Sequence, residues 1–122
     1  MTAEQNQKLT LVGPGTSTGK FMRRYWHPVA ATVELERNPV KAVKLLGESL
    51  VLFRDKRRHL GLLAEACAHR HASLVYGIPE NDGLRCAYHG WLYDAEGRCL
   101  DQPGEPAGST FKNHIKTTAY PV

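Results

Sequence analysis

Two short stretches, Cys67-Ala68-His69-Arg70 and Cys86-Ala87-Tyr88-His89-Gly90-Trp91, decide how this chain is read. Each pairs a thiol with an imidazole: C-x-H, sixteen residues, then C-x-x-H. Thiolate and imidazole are ligands for soft and borderline metals, so two such pairs at close spacing form a metal-ligand pattern. The flanking residues put both pairs where strand should give way to loop. Apolar Leu60–Ala66 runs into the first, and the turn residues Asn81-Asp82-Gly83 precede the second. Two finger-like loops, each offering Cys and His, would clamp a centre between them.

Outward from these loops the texture is short strands and turns. Val29–Val33, Val40–Leu46, Leu50–Phe53 and Leu60–Ala64 are apolar stretches with the β-branched content of strands. Gly47-Glu48 reads as a two-residue hairpin loop of type II′, and Lys56–Arg58 as a second turn. Asp94–Gly97 reads as a hairpin loop joining Trp91–Tyr93 to Arg98–Leu100. Gln102–Gly108 is loop, and Ile115–Val122 a last strand. Before His27 the pattern is helical. Thr2-x-x-Gln5 can close a capping box for a helix over roughly 3–11, and Gly13-Pro14-Gly15 stops it. Ser17 or Thr18 then caps a second helix whose Phe21, Met22, Tyr25 and Trp26 are read as a packing face. The fold class is all-β: a small antiparallel domain behind a short helical N-terminal segment.

With 122 residues, 42% hydrophobic and 23% charged, the chain has the composition of one folded domain. No stretch approaches the roughly 20 apolar residues of a membrane span, and no signal-peptide pattern opens the chain, so a cytoplasmic location is expected. The net charge of +4 comes from short clusters, Arg23-Arg24 and Lys56-Arg57-Arg58, without a basic stripe interleaved with aromatics. Nucleic acid is therefore not expected as a partner. Three cysteines are too few, and odd in number, for a disulfide framework.

Two metals suit Cys67, His69, Cys86 and His89. A single zinc would take all four as a tetrahedral site. A [2Fe–2S] cluster would put both thiolates on one iron and both imidazoles on the other. The order Cys, His, Cys, His suits two loops contributing equally to two irons.

The two boxes closely resemble the cluster-binding boxes of Rieske iron–sulfur domains. More narrowly, the chain resembles the N-terminal part of ring-hydroxylating Rieske oxygenases of the phthalate-dioxygenase type. That likeness includes Val12-Gly13-Pro14-Gly15-Thr16, Arg23-Arg24-Tyr25-Trp26-His27-Pro28-Val29-Ala30, Leu46-Gly47-Glu48 and Phe53-Arg54-Asp55. It continues through Ala72-Ser73-Leu74, Gly97-Arg98-Cys99 and Thr118-Ala119-Tyr120-Pro121-Val122. The resemblance implies that Cys67 and Cys86 bind one iron of a [2Fe–2S] cluster, and His69 and His89 the other. It divides the chain into a helical lead-in, residues 1–26, and a Rieske domain, residues 27–122, whose C-terminal end is expected to be incomplete.

The function so implied is single-electron transfer from a reductase or ferredoxin to the mononuclear iron of an oxygenase catalytic domain. The two-His, one-carboxylate site of that domain is not here, since no two histidines are five apart. The parent would be the dioxygenase or monooxygenase and this chain its electron-transfer part, with homo-oligomerisation left open for the full length. The alternatives are a stand-alone Rieske-type ferredoxin and a zinc-stabilised binding module. High-potential Rieske proteins carry an extra cysteine in each box and a serine after the second. Ala72, Tyr88 and Trp91 stand at those positions, placing the potential towards the low end of the roughly −150 to +300 mV Rieske range. Gly90 is expected to let backbone approach closely, Trp91 to shield one side of the cluster, and backbone N–H groups to point at the sulfurs.

The remaining signals have plainer readings. Gly13–Lys20 fails as a nucleotide loop, because Pro14 and Phe21 stand where Gly and Ser or Thr are needed. Arg70 follows a proposed ligand and suits either a carboxylate contact or structural pairing. His71, where the family often has Gly, is an exposed bystander. Cys99 is a packed small hydrophobe, and His27, His59 and His114 are not ligands.

Overall fold

The computed structural model describes all 122 residues. Eight short strands form two antiparallel four-stranded sheets, ordered β1-β2-β3-β8 and β4-β5-β6-β7. The first holds β1 (Val40–Leu45), β2 (Glu48–Arg54), β3 (Leu60–Ala64) and β8 (Ala119–Tyr120). The second holds β4 (Ile78–Glu80), β5 (Gly83–Arg85), β6 (Leu92–Tyr93) and β7 (Cys99–Asp101). The all-β expectation holds.

β2 is central, and its four consecutive apolar residues are buried on both faces. Val51 and Phe53 join Leu63, Leu74, Leu84, Trp91 and Tyr93 in the core between the sheets. Leu50 and Leu52 face the other way, towards Leu35 and Leu62. That second face needs a cover, because a strand apolar on both sides is stable only when both are packed. Here lies one correction: Val29–Val33 is no strand. Val29 and Ala30 lie over the Leu50–Leu52 face, and a short helix α3 (Glu34–Arg37) buries Leu35 there.

The β1–β2 hairpin forms with a different turn. Leu45 pairs with Glu48, so the loop is Leu46-Gly47, and both residues have positive φ (48° and 80°). That is the type I′ pattern, with Gly second, rather than the expected Gly47-Glu48. The Asp94–Gly97 turn forms as read: Asp94 Oδ1 accepts from the Glu96 and Arg98 backbone N–H groups. The last segment is not one long strand. Lys116 bridges to Arg98, just before β7, Thr117 N–H donates to Gly97 O, and only Ala119–Tyr120 joins β3. It crosses from one sheet to the other.

The N-terminal helix α1 (Ala3–Thr10) carries the Thr2/Gln5 capping box. The second, α2 (Ser17–Met22), is capped by Thr16 Oγ1 on Gly19 N–H (3.1 Å), one residue earlier than Ser17. It ends before Tyr25 and Trp26, and the expected packing face is not there: Phe21, Tyr25 and Trp26 are exposed, Trp26 by 77%. Arg23 docks the segment instead. Its guanidinium donates to Val12 O (2.9 Å), Leu46 O (3.0 Å) and Glu48 Oε2 (2.9 Å), whose carboxylate also accepts from Tyr120. No helix is long and apolar enough to cross a membrane.

Candidate metal centre

Each Cys/His box folds into the same closed loop. In the first, Cys67 N–H donates to Ala72 O and His71 N–H to Cys67 O. In the second, Cys86 N–H donates to Trp91 O and Gly90 N–H to Cys86 O. Both loops turn at the fifth residue, which takes a left-handed conformation: His71 at φ 58° and Gly90 at φ 78°. Glycine suits that position because it has no Cβ to clash. At Gly90 a Cβ would also sit 3.1 Å from Cγ of Pro103, so the close neighbour here is a proline ring rather than the backbone approach expected from sequence.

The two loops meet: the first follows β3 and the second follows β5. Cys67 and Cys86 are both buried in the core between the sheets, close enough for Cys67 to raise the Cys86 thiol. His69 and His89 stand outside them, exposed, with ring centroids 4.6 Å apart and planes at 72°. Trp91, nearly buried, stacks on His69 at 4.5 Å and 13°, while Tyr88 leans on the His89 ring at 3.8 Å. All four candidate ligands are thus brought together, as a thiol pair and an imidazole pair. No three His, Cys, Asp or Glu side chains converge closely enough to share one ion.

The electrostatics follow from this layering. Burial pushes the Cys86 thiol up, against backbone N–H groups of Tyr88 and His89 that bond its sulfur and favour the thiolate. Partial desolvation pulls His69 down, helped by its neighbours His89 and Arg70. Neutral imidazole is the metal-binding form, so these neighbours favour ligation. The donor set therefore fits a [2Fe–2S] cluster: soft thiolates inside, neutral imidazoles outside, N–H donors at sulfur.

The other histidines lie apart. His27 bonds Met22 O through Nε2, His59 bonds Asp55 through Nδ1, and His71 and His114 are exposed. Cys99 packs in the core as a small hydrophobe. Gly13–Lys20 follows a helix and forms a turn and the start of α2.

Three contributors were missed from sequence. Tyr93 places its hydroxyl 3.3 Å from Cys67 Sγ; its position two residues after Trp91, one strand period on, was the available signal. Arg85 Nη1 donates to Gly90 O at 2.5 Å, and its place directly before Cys86 was the only hint. Tyr88 was read only as a replacement for cysteine.

The arrangement defines a class. The family profile described as "Rieske [2Fe-2S] domain" matches residues 25–119, and the chain belongs to that family, with the Rieske-type [2Fe–2S] cluster the family implies. Its relatives are oxygenase subunits. It is 46% identical to the 5,5'-dehydrodivanillate O-demethylase oxygenase subunit of Sphingobium sp. (strain NBRC 103272 / SYK-6), over 100% of this chain and 30% of that protein. It is 43% identical to the phthalate 4,5-dioxygenase oxygenase subunit of Pseudomonas putida, over 98% of this chain and 28% of that one. Among solved structures, Pseudomonas putida CBB5 NdmA superposes with TM-score 0.71 at 34% identity, covering 84% of this chain and 32% of that one. The chain thus spans under a third of the length of these relatives, and corresponds to an N-terminal portion of a Rieske oxygenase subunit.

Proposed function

We propose that Cys67 and Cys86 hold one iron of the cluster and His69 and His89 the other, and that the domain passes single electrons from a reductase or ferredoxin to a mononuclear iron elsewhere in an oxygenase. The observation that carries this is the layering of donors: two buried thiols side by side, two exposed imidazoles 4.6 Å apart. The alternative, a single zinc, would take all four at one tetrahedral point, and metal analysis separates the two.

When bound, the cluster supplies a one-electron couple, which an all-imidazole outer iron keeps above the potential of all-cysteine ferredoxins. This chain's residues do the rest. The Tyr88 and His89 amides and the Tyr93 hydroxyl aim hydrogens at the two thiolates and stabilise added negative charge. Trp91 covers one face of His69, excluding water, while the exposed imidazole edges give the electron its exit. The mononuclear-iron acceptor, and the division into lead-in 1–26 and domain 27–122, rest on the likeness to oxygenase subunits over nearly the whole chain.

The test is iron, sulfide and zinc analysis of anaerobically purified protein beside its visible spectrum. Two irons and two sulfides per chain, with a red-brown colour bleached by dithionite, is the expected result. One zinc in a colourless protein, unchanged after iron–sulfide reconstitution, overturns it.

A further inference from the structure

We propose that Arg85 is the positioning residue of the centre, fixing the Gly90–Trp91 peptide and through it both imidazoles. This inference rests on the ligand assignment above. Arg85 ends β5 on the face of the second sheet turned away from the core. It pairs across the ladder with Leu92, which in turn pairs with Asp101, so Arg85 and Asp101 share a face. Four of its five N–H donors are engaged: Nε to Glu80 Oε1 (2.6 Å), Nη2 to Glu80 Oε2 (2.9 Å), and Nη1 to Asp101 Oδ2 (2.9 Å) and Gly90 O (2.5 Å).

The bidentate Glu80 contact and the Asp101 contact hold the guanidinium rigid, so the Nη1 aimed at Gly90 has a fixed direction. The acceptor is unusually placed. The Gly90–Trp91 peptide lies between the His89 backbone on one side and the indole stacked on His69 at 4.5 Å on the other. Gly90 is also the left-handed hinge of the loop, the residue with the most backbone freedom. Without a partner for its carbonyl, that hinge could rotate, turning His89 and withdrawing Trp91 from His69 together. No side chain bonds a carbonyl of the first loop as Arg85 bonds Gly90 O; that loop is tied to β6 by the Tyr93–Cys67 contact and to the second loop by the Trp91–His69 stack.

Two variants separate positioning from bulk stability. Arg85→Gln removes the contact to Gly90, whereas Glu80→Gln weakens the clamp but leaves the guanidinium beside that carbonyl. Amide hydrogen exchange, read on the chain with or without its cluster, reports the loop directly. We expect exchange at the Cys86 and Gly90 N–H groups to rise about tenfold or more in Arg85→Gln, the scale of one lost charge-assisted hydrogen bond. Glu80→Gln should raise it far less, even at matched loss of Tm. In cluster-loaded protein, the EPR g-values and reduction potential should move in Arg85→Gln and stay in Glu80→Gln. Equal exchange rates in the two variants, or unchanged g-values with a lowered Tm, would overturn the inference. Because the exchange arm needs no cluster, a wild-type chain that fails to bind iron refutes the ligand assignment alone.

Discussion

The phenolic oxygen of Tyr93 lies 3.3 Å from Cys67 Sγ, with both side chains sealed inside the core. Burial pushes the phenol up well beyond its ordinary value, with the nearby Cys67 adding to it, so Tyr93 remains a neutral O–H donor. A donor facing a thiolate stabilises the reduced, more negative centre more than the oxidised one. Tyr93→Phe removes the donor and keeps the ring. The reduction potential should fall by on the order of 40 mV, the one-electron equivalent of about 1 kcal/mol. A redox titration of the two proteins decides it, and an unchanged midpoint would show that this contact does not tune the centre.

His71 and Gly90 occupy the same place in two loops of the same design, yet only one is glycine. A left-handed non-glycine residue outside the Asn/Asp class costs about 1–2 kcal/mol, partly offset by the entropy glycine adds to the unfolded chain. His71→Gly should therefore raise stability by about 0.5–1 kcal/mol, while His71→Ala should not. Denaturant unfolding of the three proteins provides the comparison. His71 is exposed, so no packing is lost in either variant.

Much of this was legible beforehand, for physical reasons. The ligand loops were readable because metal chemistry restricts residue type and spacing together. Tyr93 and Arg85 were not, because a hydrogen bond to the site leaves no spacing rule in sequence. Val29–Val33 read as strand because its apolar β-branched residues are the same whether they pair in a sheet or cover one. Only tertiary context, the doubly buried face of β2, distinguishes the two. The Leu46-Gly47 turn slipped by one because the register of β1 on β2 is set by Val40 and Phe53 facing one core, a pairing between distant positions. Phe21, Tyr25 and Trp26 have helical spacing, yet Phe21 is exposed and Tyr25 and Trp26 line an open groove with Leu46 and Leu50; periodicity alone cannot say that the partner face is solvent.

Trp91 covers His69 and packs edge-on against Phe111 (6.2 Å between centroids). Trp91→Phe should retain a flat ring there and keep the cluster. Trp91→Ala should cost about 3–5 kcal/mol as a large-to-small core change and let water reach the imidazole side. The check is bleaching in air followed by visible absorbance, expected to be markedly faster for the alanine variant than for wild type or phenylalanine.

Glu80 offers a pH test away from the metal. The Arg85 hydrogen bonds hold its carboxyl below the reference value of 4.5, against some desolvation. A carboxylate lowered in the folded state adds stability that is fully present above its unfolded value and is lost as pH falls through the folded one. The Tm gap between wild type and Glu80→Gln should be constant from neutral pH down to about 4.5 and close progressively below it. A gap independent of pH down to 3 would mean that the ion pair contributes nothing beyond the neutral hydrogen bond.

The central claim, that two imidazoles and two thiolates share one cluster, is tested most directly by nitrogen hyperfine spectroscopy on the dithionite-reduced protein. Two strongly coupled ring nitrogens are predicted, with one lost in each of His69→Cys and His89→Cys. A reduced cluster with no ring-nitrogen coupling, as an all-cysteine site would give, or with coupling that survives both substitutions, would contradict the assignment of His69 and His89.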